Sequence, residues 1–356
     1  MEIFEQFFNL NTKIDNYLPR NLILPTDISF QLIGARATGK SALIFDYLSK
    51  KPKNSYLYID CQDPAFILDE LKEDELEAFI KEESIKTLVL DHYFDGFLEE
   101  LPKVKQLIIV SRQISEFELP VYKLYPLDFI EFCKNRVSSS SFNNFTKRGS
   151  LPSVAISSEH FVKLKEIFFE KFDEGDGKVL LILSLFNTKI TTTNQIYKRA
   201  KEYFKISKDW LYQTLQKFED EGVLYRLKKL ESGFGDKIIL YDFAFSKYLN
   251  KYQPFINTFD ATVALALIKQ NIDIIALTSP LGYLQLDTNK LTLIAPFESS
   301  ESFWLKAQKN FSTYRQLTEK EIQIVTISNS YDFKIKDLTF KAMPFFEWIE
   351  YINSDK

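Results

Sequence analysis

The chain is short of the residues on which several large protein classes depend. Among its 356 residues are two cysteines, Cys61 and Cys133, far apart and without metal-ligand spacing. That excludes a disulfide framework and a zinc ribbon and makes a reducing, cytoplasmic setting the expectation. Two histidines, His92 and His160, argue against a metal–histidine cluster and a histidine triad. There is no basic excess. Lys and Arg number 45 against 49 Asp and Glu, a net charge of −4, so any DNA contact must come from a local patch. The longest purely apolar run, residues 263–268, falls far below the roughly 18 residues that span a bilayer. No membrane contact is expected. The opening Met1-Glu-Ile-Phe-Glu-Gln lacks the basic stretch and apolar core of a signal peptide, so export is not expected.

What is present describes a folded protein. Apolar residues make up 45% and charged residues 26%, near the globular average. The length predicts two to three domains at about 150 residues each. The 33 Phe and 18 Tyr are spread along the chain and read as core packing.

Residues 1–135 alternate strand-length apolar runs, at 28–33, 56–60, 87–91 and 106–111, with amphipathic stretches, the pattern of a parallel sheet flanked by helices. Asp63-Pro64 predicts a helix start, with Ile67, Leu68, Leu71, Leu76 and Phe79 on one side as far as residue 83. The turn formers at 138–142 and 149–153 mark a boundary or small helical lid over 136–172, and Asp173-Glu-Gly-Asp-Gly177 marks a second boundary. Helices at 194–204 and from the Ser207 cap to Gly222, with Leu211, Leu215 and Phe218 inward, precede a hairpin of 223–227 and 237–241. Together they describe a winged helix over 173–250. The tail, 251–356, reads as a separate α/β domain. Its helices are predicted at 259–270 and 301–317 and its strands at 272–276, 283–286, 291–295 and 322–327.

The strongest chemical signal is Gly34-Ala35-Arg36-Ala37-Thr38-Gly39-Lys40-Ser41, a complete G-x-x-x-x-G-K-S between a predicted strand and a predicted helix. The glycines let successive N–H groups face one anion, and the helix adds its positive end. Lys40 is expected to reach the β- and γ-phosphates of ATP, and the Ser41 hydroxyl to hold Mg²⁺. Asp91 closes the strand at 87–91 where the second Mg²⁺-binding acid belongs. The next residue is His92, where many such ATPases carry the glutamate that orients water, so a weak hydrolase is expected. Either His92 takes part in catalysis, or it packs beside the site while Asp60 or Asp95 serves as base. Ser111, ending the next strand, is a candidate γ-phosphate sensor or simply a strand cap. Arg36 and Arg112 are candidate phosphate contacts or solvated side chains.

Two further segments carry a resemblance. Tyr122-Lys-Leu-Tyr-Pro126-Leu-Asp-Phe129-Ile-Glu131-Phe132 and Phe142-Asn-Asn-Phe145-Thr-Lys-Arg-Gly149-Ser-Leu-Pro152 are similar to the L-x-P-L-s-F-x-E-F and F-x-x-Y/F-x-x-x-G-g-x-P segments of one family. These are the bacterial and archaeal AAA-type P-loop ATPases that join a winged helix and a restriction-endonuclease-like domain to the nucleotide domain. The resemblance implies that the tail is nuclease-like, with Asp260 as the helical acid and Asp287 as the strand acid. The strand due to carry E-x-K reads Leu291-Thr-Leu-Ile-Ala-Pro296-Phe297, so an inactive nuclease fold is expected. In the winged helix, Lys208 and Lys217 face Asp209, Glu219, Asp220 and Glu221. Lys198, Arg199, Lys201, Arg226, Lys228 and Lys229 leave a weaker backbone-binding option, and an interdomain or protein-contact role is favoured.

Three functions therefore stand. The first is an ATP-binding, Mg²⁺-dependent ATPase or slow ATP switch, whose nucleotide state alters the packing of lid, winged helix and tail and which has a possible protein partner. The second is a DNA-binding protein whose ATPase controls residence, and the third an ATP-binding scaffold without turnover. Oligomeric state is left open.

Overall fold

The computed structural model describes the chain except residues 1, 11, 13, 15, 69–70, 134–138, 319–320 and 355–356. It divides into two compact units, Met1–Pro126 and Leu127–Lys356.

The first unit contains α1 (Glu2–Phe8), β1 (Phe30–Ile33), α2 (Lys40–Leu48), β2 (Tyr56–Asp60), α3 (Ala65–Leu68), α4 (Glu73–Glu82), β3 (Thr87–Asp91), β4 (Gln106–Ser111) and β5 (Val121–Lys123). The five strands form a parallel sheet in the order β2-β3-β4-β1-β5, consistent with a P-loop nucleotide-binding fold. β1 to β4 are apolar almost throughout because both faces are covered. Successive side chains point to opposite faces. Leu57, Ile59, Leu88, Leu90, Leu107 and Ile109 pack with Phe4, Leu76 and Phe79 on one face. Phe30, Leu32, Tyr58, Val89 and Ile108 pack with Leu43, Ile44 and Leu48 of α2 on the other. The same alternation puts Asp60, two residues beyond Tyr58, and Asp91, two beyond Val89, on the α2 face. From β1 the chain runs to β2 on one side, and from β4 to β5 on the other, so a crevice opens at the carboxyl ends of these strands.

The predicted helix from Asp63 to residue 83 is two helices, α3 and α4. Asp63 Oδ1 accepts the Ala65 N–H at 2.9 Å, and the part of the prediction at 69–70 lies outside the described residues.

The second unit begins with α5 (Phe129–Cys133), α6 (Ser139–Arg148), α7 (Pro152–Ile156), α8 (His160–Lys171) and α9 (Glu174–Phe186). β6 (Ile190–Thr191), α10 (Thr193–Lys201), α11 (Lys208–Asp220), β7 (Leu224–Leu227), β8 (Asp236–Leu240), α12 (Phe243–Leu249) and α13 (Phe255–Lys269) follow. The chain ends with β9 (Ile274–Thr278), β10 (Leu281–Gln285), β11 (Leu291–Ile294), α14 (Ser300–Lys309), α15 (Phe311–Leu317), β12 (Ile322–Thr326), β13 (Tyr331–Ile335), β14 (Leu338–Pro344) and α16 (Phe345–Ser354).

α9, α10 and α11 accompany an antiparallel three-stranded sheet, β6-β8-β7. Their starts are capped: Asp173 accepts from the Asp176 N–H, Thr192 forms a reciprocal capping box with Gln195, and Ser207 accepts from the Trp210 N–H. The later strands form a mixed six-stranded sheet, β13-β14-β12-β11-β10-β9. The phenylalanines of the two quoted segments are explained by packing. Phe129, Phe142 and Phe145 are buried with Phe243, Phe259 and Phe345 in one core, meeting edge-on or tilted at 4.9 to 6.1 Å between centroids. Asp128 and Glu131 cap the start of α5 by accepting each other's backbone N–H at 2.6 and 3.0 Å.

Three local expectations are corrected. The serines from 139 open α6 rather than a turn, with residue 138 outside the described set. Gly175 and Gly177 lie inside α9, where Trp210 and Phe168 sit so close that a Cβ would meet their rings. The helix predicted over 301–317 breaks at Asn310.

Candidate nucleotide-binding site

The loop between β1 and α2 is shaped by its backbone. Ala37 and Gly39 take positive φ, 62° and 90°, a curl that turns successive N–H groups toward one point. A Cβ on Gly34 would run into the Leu124 carbonyl oxygen, so the loop packs against the chain leaving β5 only if that residue is glycine. Lys40 Nζ donates to the carbonyls of Gly34 at 2.7 Å and Ala35 at 3.1 Å, and Thr38 Oγ1 donates to Ala35 at 2.9 Å. Arg36 is buried, which removes the reading of it as a solvated arginine. Arg20, which sequence reasoning passed over, braces the loop. Its guanidinium donates to the Thr38 carbonyl at 2.9 Å and the Tyr125 carbonyl at 2.6 Å.

Across the crevice, Asp60 and Asp91 are paired in register at the ends of β2 and β3. Asp91 is fully buried. One oxygen accepts the Tyr58 hydroxyl at 2.6 Å and the other the His92 N–H at 2.7 Å. Ser41 stands near enough to act on the Tyr58 hydroxyl, so Ser41, Tyr58 and Asp91 lie together between the loop and β3. Burial and then the Asp91 charge hold the Tyr58 phenol protonated well above its ordinary range.

His92 sits at φ 55°, a left-handed backbone that costs a non-glycine residue about 1 kcal/mol or more. That turn brings its ring back onto Asp60, with Nδ1 2.9 Å from Oδ1. The bond to Asp60 raises the imidazole pKa, burial opposes the rise, the Asp91 charge adds to it and Lys40 opposes it. Lys40, Asp60, Asp91 and His92 thus share one electrostatic site.

The raised pKa makes a stability prediction. The imidazolium–Asp60 contribution is complete below the unfolded histidine pKa of about 6.5 and is lost as pH rises through the higher folded value. His92→Asn keeps a residue that tolerates the left-handed backbone. Its deficit in melting temperature against the parent is expected to be widest at mildly acidic pH and to shrink toward alkaline pH.

Ser111 is buried at the end of β4, and its hydroxyl donates to the Gln113 carbonyl at 2.5 Å. Arg112, beside it, is half-buried. Asp95 is exposed in a separate cluster, accepting the Glu116 N–H at 3.2 Å. The proximity of the Glu116 carboxyl raises its pKa. A groove of about 630 Å³ runs along α2, lined by Tyr17, Arg20, Leu22, Leu43 and Tyr47 among others.

The tail's two acids do not meet as the resemblance implies. Asp260 is buried on α13, its carboxylate gripped by Lys237 Nζ at 2.6 and 2.8 Å and by the Tyr283 hydroxyl at 2.5 Å. Asp287 is exposed in the turn between β10 and β11, not on a strand.

No family model and no curated protein matches the chain. Among solved structures it is similar to the Orc1 protein of Aeropyrum pernix in complex with DNA, at 11% identity and a TM-score of 0.30, over 64% of this chain and 87% of that one. No described helix is long and apolar enough to cross a membrane.

Proposed function

We propose that the chain is an ATP-binding, Mg²⁺-dependent P-loop ATPase of the AAA type that turns over slowly and acts as a switch. The observation that carries this reading is the convergence of the curled loop, Lys40, Ser41, Asp91 and His92 at the carboxyl end of one parallel sheet. The Lys40 ammonium donates to the neutral carbonyls of Gly34 and Ala35, bonds that phosphate oxygens could replace. The donor set also fits Mg²⁺. Among the described residues no group of three or more His, Cys, Asp or Glu can hold a metal, and Mg²⁺ in such sites is held by one or two protein oxygens with phosphate and water supplying the rest. Ser41 and Asp91 would hold it, and when bound it would neutralise charge on the β- and γ-phosphates. Tyr58 keeps the Asp91 carboxylate oriented, Arg20 stiffens the loop, and the groove along α2 offers apolar walls for a base. Ser111 stands in this reading as a γ-phosphate sensor.

Lys40→Ala tests the assignment. Its side chain supports charge at a loop end, so the fold is expected to survive by circular dichroism while affinity for a fluorescent ATP analogue with Mg²⁺ falls more than about tenfold. Unchanged affinity would remove the nucleotide reading.

We read the sequence as four functional segments, 1–135, 136–172, 173–250 and 251–356, the third as a winged helix and the fourth as a nuclease-like, inactive domain. We read the winged helix as a joint to the tail. The chain just beyond β7 pairs with β9 through Ala276 N–H to Lys228 and Leu230 N–H to Ala276, at 2.8 and 2.9 Å. Glu231 accepts from the N–H and hydroxyl of Thr278 at 2.7 and 2.8 Å. A second reading, DNA binding, draws on exposed Lys198, Lys201, Lys205 and Lys208 beside the exposed rings of Tyr203 and Tyr212. Salt-dependent retardation of duplex DNA tests it.

A further inference from the structure

The first unit carries a second concavity that the nucleotide reading does not use. It is an open groove of about 1000 Å³ beside the ends of β2 and β3. Its apolar part includes Ile67 and Phe94, which are 78% and 51% exposed, an unusual exposure for large apolar side chains that line one concavity. Its charged lining includes Asp63, Glu73, Asp74 and Glu99, and Lys72 is the one basic residue among the described lining residues. Several of these acids also order the local chain. Asp63 accepts the Ala65 N–H, and Glu73 accepts the Glu99 N–H at 2.5 Å. Such bonds leave the negative charge in place.

Apolar anchors surrounded by acids select against nucleic acid and anionic lipid, whose phosphates the rim repels. They complement a chain segment that alternates apolar and cationic side chains. We propose that this groove is a docking site for a basic, amphipathic protein segment, with its apolar residues on Ile67 and Phe94 and its Lys or Arg residues facing Asp63, Glu73, Asp74 and Glu99. Such a helix-in-groove contact draws its affinity from the apolar anchors and its selectivity from the charges. Cys61 and Gln62 of the groove directly follow Asp60, and Phe94 lies two residues after His92. A docked segment therefore lies beside the Asp60–His92 pair. The proposal itself does not depend on nucleotide being bound.

The test uses the full chain and a fluorescein-labelled amphipathic peptide of Leu and Lys, with a Leu and Glu peptide as control, read by anisotropy. The Lys peptide is expected to bind, more weakly as salt rises, and the Glu peptide not to bind. Ile67→Ser with Phe94→Ser, and separately Glu73→Gln with Asp74→Asn, are each expected to weaken binding about tenfold. Both pairs leave the core intact, since Ile67 and Phe94 are exposed and Glu73 and Asp74 lie at the start of α4; circular dichroism checks this. Equal binding by parent and both variants would place the peptide elsewhere and overturn the proposal. Self-association of the parent that the Ile67/Phe94 variant abolishes, with no competition from the peptide, would overturn it in favour of a second copy of this chain.

Discussion

Lys237→Met is expected to destabilise the second unit by about 3–5 kcal/mol, the usual cost of leaving one member of a buried ion pair uncompensated. Lys237 and Asp260 have side chains only 2% and 3% exposed, so water cannot replace the lost partner. The pair is bidentate, at 2.6 and 2.8 Å, and the Tyr283 hydroxyl supplies a further donor to the same carboxylate at 2.5 Å. The ammonium also stands 4.6 Å from the Tyr283 ring centre. Lys237 belongs to β8, Asp260 to α13 and Tyr283 to β10, so one polar cluster ties the three-stranded sheet to the helix and sheet of the tail. Ion pairs of this kind add little stability over well-packed apolar residues, because desolvation offsets the attraction. The combination Lys237→Met, Asp260→Leu and Tyr283→Phe is therefore expected to recover most of the loss. Urea denaturation of parent, single and triple variants measures both effects. A single variant that loses less than about 1 kcal/mol would mean that the pair is wet in solution. The cluster also explains why Asp260 does not serve as the helical acid of a nuclease site. Its oxygens already carry an ammonium and a phenol, and Asp287 is exposed in a turn.

The candidate site of the first unit was legible because its signals are local. Four apolar runs predicted β1 to β4, the glycine spacing located the loop, and Asp91 stood at the end of its strand. Tyr58 was not legible, since a tyrosine in Tyr56-Leu-Tyr-Ile-Asp60 looks like one more core residue. Only strand pairing shows that its hydroxyl reaches Asp91 on the neighbouring strand. Arg20 acts through a contact with the Tyr125 carbonyl that no local pattern encodes, and its one signal was a basic residue in an apolar stretch just ahead of β1. Lys237 read as an ordinary hairpin lysine because its partner is on another element. Asp173-Glu-Gly-Asp-Gly177 read as a break because glycine disfavours helix, yet Trp210 and Phe168 occupy the space where side chains would stand, and tertiary packing overrides propensity. β13, β14 and α16 went unread. β13 alternates exposed and covered residues at an edge, and its pattern is weak without the neighbouring strand.

His92→Glu is expected to raise steady-state ATP hydrolysis by about 10²- to 10⁴-fold, the range that general-base assistance supplies. In the parent the residue after Asp91 is an imidazole whose Nδ1 is bonded to Asp60 Oδ1 at 2.9 Å and whose pKa that bond raises. An imidazole held on the Asp60 carboxylate through Nδ1 does not reproduce the reach and negative charge of a glutamate. A glutamate there would stand beside Asp60 and Asp91. The neighbouring negative charges would lift its pKa toward neutrality, where a general base works best. The φ of 55° suits His better than Glu, so circular dichroism and a melting curve are run on His92→Glu to check that the variant keeps its fold. His92→Gln removes the titrating group without adding a base and is expected to stay as slow as the parent. Phosphate release from the parent, His92→Glu, His92→Gln and Asp60→Asn separates the readings. A slow parent accelerated only by His92→Glu fits a switch that remains ATP-bound until something completes its site. A fast parent that is indifferent to both His92 changes and disabled by Asp60→Asn would make Asp60 the base and leave His92 as packing.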